Sequence, residues 1–123
     1  MYDSWRASLR SYIDICRSWE IKPVLMTQFN RINEQDNLFN STFFQAVAPN
    51  ADLNKSDFIE VYKTFNEIIR EIAIEQNVLL IDLEKLIPAS DVYIFDSVHL
   101  NSKGSILVGE IIADYLTNDL EKK

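Results

Sequence analysis

Apolar residues recur at helical spacing in three stretches of this chain and run together in two others. Trp5, Leu9, Tyr12, Ile13 and Cys16 share one face, with Arg6, Arg10, Asp14 and Arg17 on the other. That pattern predicts an amphipathic helix over residues 4–19, with Ser4 as its cap. Phe58, Tyr62, Phe65, Ile69 and Ile72 predict a second helix over residues 55–76, started by Asn54 or Asp57 and closed by Asn77. Val108, Ile111, Ile112 and Tyr115 predict a third over residues 102–118, capped by Asn101, with a frayed tail after it. Between them lie two solid apolar runs, residues 21–27 and 78–82, which read as strands buried on both faces. A single helical turn is expected over residues 82–86, before Pro88.

Residues 28–54 break this alternation. They are rich in Asn, Asp and Gln, with Phe29, Phe39, Phe43 and Phe44 spread among them. A loop of that length inside a compact domain tends to be functional. It follows the carboxyl end of a strand, where open α/β sheets bind ligands, so it is expected on the substrate side, with a short helical turn near residues 41–47, the alternative being a lid that merely covers the core. Helices alternating with buried strands mean an α/β fold with a parallel sheet. Two strands alone leave unpaired edges, so a covering element is expected, either a homo-oligomer contact or a preceding segment.

Composition narrows the function classes. The 123 residues suit one domain, and 47% hydrophobic with 25% charged content is that of a folded globular protein. A formal charge of −7 argues against a nucleic-acid groove, which needs clustered Lys and Arg. No apolar run approaches membrane-spanning length, and residues 1–6 lack the layout of a signal peptide. The chain has only two glycines, Gly104 and Gly109, so a Gly-rich phosphate loop is excluded. A lone Cys16 on an apolar helix face reads as core, and one His with one Cys makes a zinc site unexpected. No metal or cofactor is expected.

The candidate chemistry lies in residues 95–104, Phe-Asp-Ser-Val-His-Leu-Asn-Ser-Lys-Gly, which hold the sole histidine. Asp96 and His99 are three apart on one turn, immediately before a helix. The carboxylate can accept the Nδ1 proton and leave Nε2 to deprotonate a hydroxyl. The local alternative is that Asp96 bonds the loop backbone and His99 packs at a helix start.

Asp96-Ser97-Val98-His99-Leu100-Asn101, followed by Lys103-Gly104 and an apolar helix, resembles the last sequence block of the SGNH (GDSL-type) hydrolases. Pro23-Val24-Leu25-Met26-Thr27-Gln28 is similar to that family's penultimate strand and the turn after it. Residues 66–82 resemble the helix and last strand before the catalytic block, and residues 2–19 resemble the helix before the penultimate strand. The resemblance spans nearly the whole chain, although only the block at Asp96–Gly104 is specific.

The resemblance implies a flavodoxin-like three-layer α/β/α fold, of which this chain holds the carboxyl-terminal portion with about two parallel strands and three main helices. It implies a serine esterase site in which His99 is the base and Asp96 its orienter. The family's Gly-Asp-Ser and Gly-x-Asn-Asp blocks, which carry the serine and the oxyanion donors, are absent from the sequence. Asp3-Ser4 lacks the glycine and the preceding strand, and Ser97 is too near His99 in sequence to serve it. The expectation is a single, incomplete domain over residues 1–123 that is inactive alone. Its substrate would be a small ester or an acetylated carbohydrate, as the resemblance implies. A non-catalytic interaction or binding module derived from the same fold is the alternative, and an unrelated flavodoxin-like regulator domain is a third reading.

Overall fold

The computed structural model describes residues 1–32 and 55–121. Their elements run α1 (Tyr2–Ser18), β1 (Val24–Met26), α2 (Lys55–Glu75), β2 (Leu79–Ile81), α3 (Leu83–Leu86) and α4 (Ser102–Glu121). The protein is therefore α/β, with four helices and two parallel strands among the described residues, the strands paired Val24 with Leu79, Leu25 with Leu80 and Met26 with Ile81. The expected turn near residues 41–47 and the possible cap Asn54 lie outside the described residues.

The pleat of the sheet sends alternate residues to opposite faces. Leu25 and Leu80 join Leu9 and Ile13 of α1 and Ile68, Ile69, Ile72 and Ala73 of α2. Val24 and Ile81 face the other way, into a second cluster with Leu83, Ile87, Ile94 and the Val108, Ile111, Ile112 and Tyr115 stripe of α4. Helices thus lie against both faces. The strands are shorter than expected and incompletely covered, since Met26 is 45% exposed. Its face is only partly overlaid by the second cluster, so the expected burial holds on the other face at Leu25 but not at Met26.

Helices α1 and α2 run parallel. Arg6 bonds Glu71 at 2.6 Å and Arg10 bonds Glu75 at 2.9 Å, each pair separated by 65 residues. Exposed ion pairs of this kind contribute about 0.2–1 kcal/mol, against about 1.5–3 kcal/mol for one fully buried aliphatic side chain. Ile13 and Ile72, both at 0% exposure, therefore hold the helices together, and the arginine ladder sets their direction and offset. Cys16 is buried as expected, whereas Tyr12 is exposed. The buried face of α2 is rotated from the expected stripe to include Asn66 and Ala73.

Two expected caps are corrected. The N-cap of α1 is Met1, and Ser4 lies inside the first turn, where its carbonyl accepts the Ser8 hydroxyl. Lys55 opens α2, so Asp57 is within the helix. Asn77 closes α2 as expected, with φ of 50°. The Asn77 and Val78 amides donate to the carbonyls of Ile74 and Ala73, the doubled bond of a Schellman motif. The same motif closes α1, unannounced by composition: Glu20 at φ 57° and Ile21 donate to Arg17 and Cys16. Both helix-to-strand connections are thus one construction used twice.

A non-glycine residue in the left-handed region costs roughly 1–2 kcal/mol. Glu20→Gly is expected to raise unfolding stability by about 1 kcal/mol in urea denaturation, with an unchanged m-value.

Candidate functional site

The turn that carries Asp96 and His99 is held by backbone first. Ile94 and Leu100 form an antiparallel bridge, and on either side of it the Phe95 amide donates to the His99 carbonyl and the Asn101 amide to Tyr93. This pairing turns Ile94 and Leu100 inward, to the core. Phe95 and His99 are left opposite each other on the outer side.

Asn101 locks the base of the loop. Its Nδ2 donates to the carbonyls of Asp91 and Val92 at 3.0 and 2.9 Å, and its Oδ1 accepts the Gly104 amide at 3.0 Å. One side chain therefore caps α4, as expected, and also gathers the preceding loop onto it. Gly104 is required by the same closeness: a Cβ there would lie 2.1 Å from the Tyr93 carbonyl oxygen. The asparagine and glycine that follow the histidine are thus explained by packing.

Within this frame the Asp96 carboxylate divides its work. Oδ1 accepts the backbone amides of His99 at 2.8 Å and Val98 at 2.9 Å. Oδ2 lies 2.7 Å from His99 Nδ1. The two expectations for Asp96, a backbone staple or a partner for the imidazole, hold together because the carboxylate has two oxygens. The His99 amide and then the Val98 amide are the main causes that hold the Asp96 carboxyl down at about 2, from an ordinary 3.8. The His99 side chain is 77% exposed, and Nε2 has no protein partner among the described residues. The pair can hold one tautomer and offer a basic nitrogen to solvent or to a docked hydroxyl.

The segment after β1 reaches this turn. The Arg31 amide donates to the Ser97 carbonyl at 2.8 Å, and the Arg31 guanidinium lies 3.5 Å from the Phe95 carbonyl. Arg31 was concealed in the polar loop, with no spacing to mark it. Ser97 is buried inside the turn. Ser4 is on α1, and among the described residues no hydrogen bond joins it to Asp96 or His99.

A second polar cluster closes the carboxyl end of the sheet. Arg70 Nε and Nη2 donate to Asp82 Oδ2 and Oδ1 at 2.9 and 2.7 Å, and Nη2 also donates to Glu84. The Thr27 hydroxyl donates to Asp82 at 2.8 Å and accepts the Glu84 amide at 2.9 Å. The Arg70 bond holds the Asp82 carboxyl far below its usual range, and Asp82 in turn raises the guanidinium. Beside them, buried Asn66 grips both backbone groups of Gln28, each at 2.8 Å. Every polar group named here is paired, so this cluster is read as scaffold.

Among the described residues, no group of three or more His, Cys, Asp or Glu is placed to hold a metal ion, and no helix is long and apolar enough to cross a membrane. Comparison with protein-family models, curated proteins and solved structures found no match.

Two predictions follow from this geometry. Gly104→Ala should destabilise the protein by about 3 kcal/mol, because the clash is with backbone, while Gly109→Ala, with nothing within 4 Å, should stabilise it by about 0.5–1 kcal/mol in the same thermal melt. The second concerns acid. Asp96 is depressed on folding, so its contribution is complete above the unfolded value near 3.8 and is lost as pH falls through about 2. The Val98 and His99 amide shifts should therefore titrate together near pH 2, as read by two-dimensional NMR.

Proposed function

We propose that this chain is the carboxyl-terminal part of an SGNH-type serine ester hydrolase, with a flavodoxin-like three-layer fold. It supplies the orienter Asp96 and the base His99. The observation that carries the reading is the 2.7 Å contact between Asp96 Oδ2 and His99 Nδ1 on a turn whose outer side leaves Nε2 accessible. The motif around the pair, with Asn101 capping α4 and Gly104 against Tyr93, adds support.

In this reading Asp96 holds the Nδ1 proton, and Nε2 takes the proton of a serine hydroxyl as its oxygen attacks an ester carbonyl. The imidazolium, stabilised by Asp96, then returns the proton to the departing alkoxide. Serine and oxyanion donors come from outside these 123 residues, since neither family block occurs in the sequence. A missing oxyanion donor alone costs about 3–4 kcal/mol of transition-state stabilisation, so the chain by itself is expected to be inactive. The substrate class is a small ester or acetylated carbohydrate. A second reading, a non-catalytic interaction module, is favoured by one observation: Phe95, across the turn from His99, is 73% exposed.

The sole histidine makes the test direct. Nitrogen-15 NMR should find the neutral His99 ring protonated on Nδ1, and Asp96→Ala should release it to the Nε2–H form. A ring already in the Nε2–H form would remove the orienter role. The purified chain should hydrolyse p-nitrophenyl acetate no faster than an equal concentration of free imidazole. Robust turnover abolished by His99→Ala would show instead that the chain completes its own site.

A further inference from the structure

The outer edge of β1 is open. The Thr27 amide donates to the Ile81 carbonyl at 3.3 Å. Given the register of the sheet, Leu25 and Thr27 then turn their backbone groups to β2, and Val24 and Met26 turn theirs away. These outward amides and carbonyls meet no partner among the described residues. An unpaired edge is a template for another strand. Lys22, the charge at its start, is held by Asp119 of α4.

Two helices wall this edge, and their flanks toward it carry no charge. Since α2 lies against both strands, α1, beside it on the same face, stands outward over β1. Arg6, Arg10 and Arg17 turn to Glu71, Glu75 and Gln76 of α2. At about 100° per residue, Ser8, Tyr12, Ile15 and Trp19 fall on the opposite flank, over the free edge, and every charged residue of α1 falls outside it. Ile15 is 60% and Trp19 75% exposed. On the other face α4 runs against the strands and ends near Lys22. Its winding turns Ile106, Gly109, Ala113, Leu116 and Leu120 to the same side, while Lys103, Glu110, Asp114 and Glu121 face away from the sheet. In a chain with 25% charged residues, two uncharged flanks at one strand edge mark a surface made to be covered.

We propose that β1 takes up an extended, uncharged apolar segment of another polypeptide as a third strand, its side chains entering between the α1 and α4 flanks. Both walls are apolar, so the segment carries aliphatic residues on both of its faces, about five in a row. The overhang of α1 decides against a second copy of this chain. Strands pair about 4.8 Å apart, and a helix is about 10 Å across. A second β1 on this edge would carry its own α1 into the place that α1 and α2 already fill, whereas a bare strand brings no helix with it. None of the residues named here belongs to the Asp96–His99 turn, so the inference stands without the hydrolase reading.

The test titrates a capped peptide, Lys-Lys-Val-Val-Ile-Val-Val-Lys-Lys, into the full nitrogen-15-labelled chain. The Val24 and Met26 amide protons should move downfield and exchange with solvent about ten-fold more slowly. The same peptide N-methylated at each aliphatic residue keeps its charge and side chains but has no donors there, and it should bind about ten-fold more weakly. Ile15→Asp and Leu116→Asp, both at exposed positions, should each weaken binding by about ten-fold. Ile74→Asp, 81% exposed on the outer side of α2, should leave binding unchanged. Light scattering should give a monomer before the peptide is added. Unmoved Val24 and Met26 amides, equal binding of the methylated peptide, or a dimer in which those two amides are already protected would overturn the proposal.

Discussion

Asp82 is the residue on which this small sheet depends. It stands directly after β2, and its carboxylate is reached by Arg70 from α2 and by Thr27 from the end of β1. Two paired strands of three residues each offer few ladder bonds, so their carboxyl ends need another tie. Removing charge from water is costly unless every partner is present. Here the guanidinium is shared between Asp82 and Glu84, and the threonine hydroxyl both donates and accepts. The cluster ties α2, both strand ends and α3 into one unit. The apolar clusters on the two faces could not by themselves fix where those ends stop.

From that unit the candidate site is reached by two short routes. One runs from Thr27 through Gln28, clamped by Asn66, to Arg31, whose amide meets Ser97. The other runs from α3 through the loop gathered by Asn101 to the bridge of Ile94 with Leu100. The turn is therefore fastened at its flank and at its base, while Phe95 and His99 stand exposed on its outer side. A rigid backbone with an open imidazole is what a base would need if its hydroxyl partner arrives on another element.

The legible parts of the fold are those whose cause is local. Asp96 with His99, Asn101 with Gly104, and Asn77 after an amphipathic helix are all partners within a few residues, so spacing reveals them. Helix stripes and apolar runs also placed the α/β alternation and the buried Cys16. What stayed hidden depends on partners far along the chain. Thr27 meets Asp82 across 55 residues and Asn66 meets Gln28 across 38. Nothing in a threonine after a strand, or an asparagine on a helix, announces such a bond. Glu20 was hidden for another reason: glutamate is not a residue that favours the left-handed region, and the Schellman bonds impose it there. Ser4 misled because a serine near a helix start usually caps, whereas α1 begins earlier.

The repeated helix-to-strand connection has an electrostatic consequence. Each Schellman turn reverses the chain at once, so α1 and α2 run opposite to the strands that follow them. Both therefore direct their amino ends toward the carboxyl end of the sheet, where Trp5, Val61 and Tyr62 meet Gln28. Aligned peptide dipoles leave partial positive charge at that end of a helix, equivalent to roughly half an elementary charge each. In a chain with a net charge of −7, the edge of the sheet where Asp82 and Glu84 collect is thus also the edge toward which two helices direct positive potential.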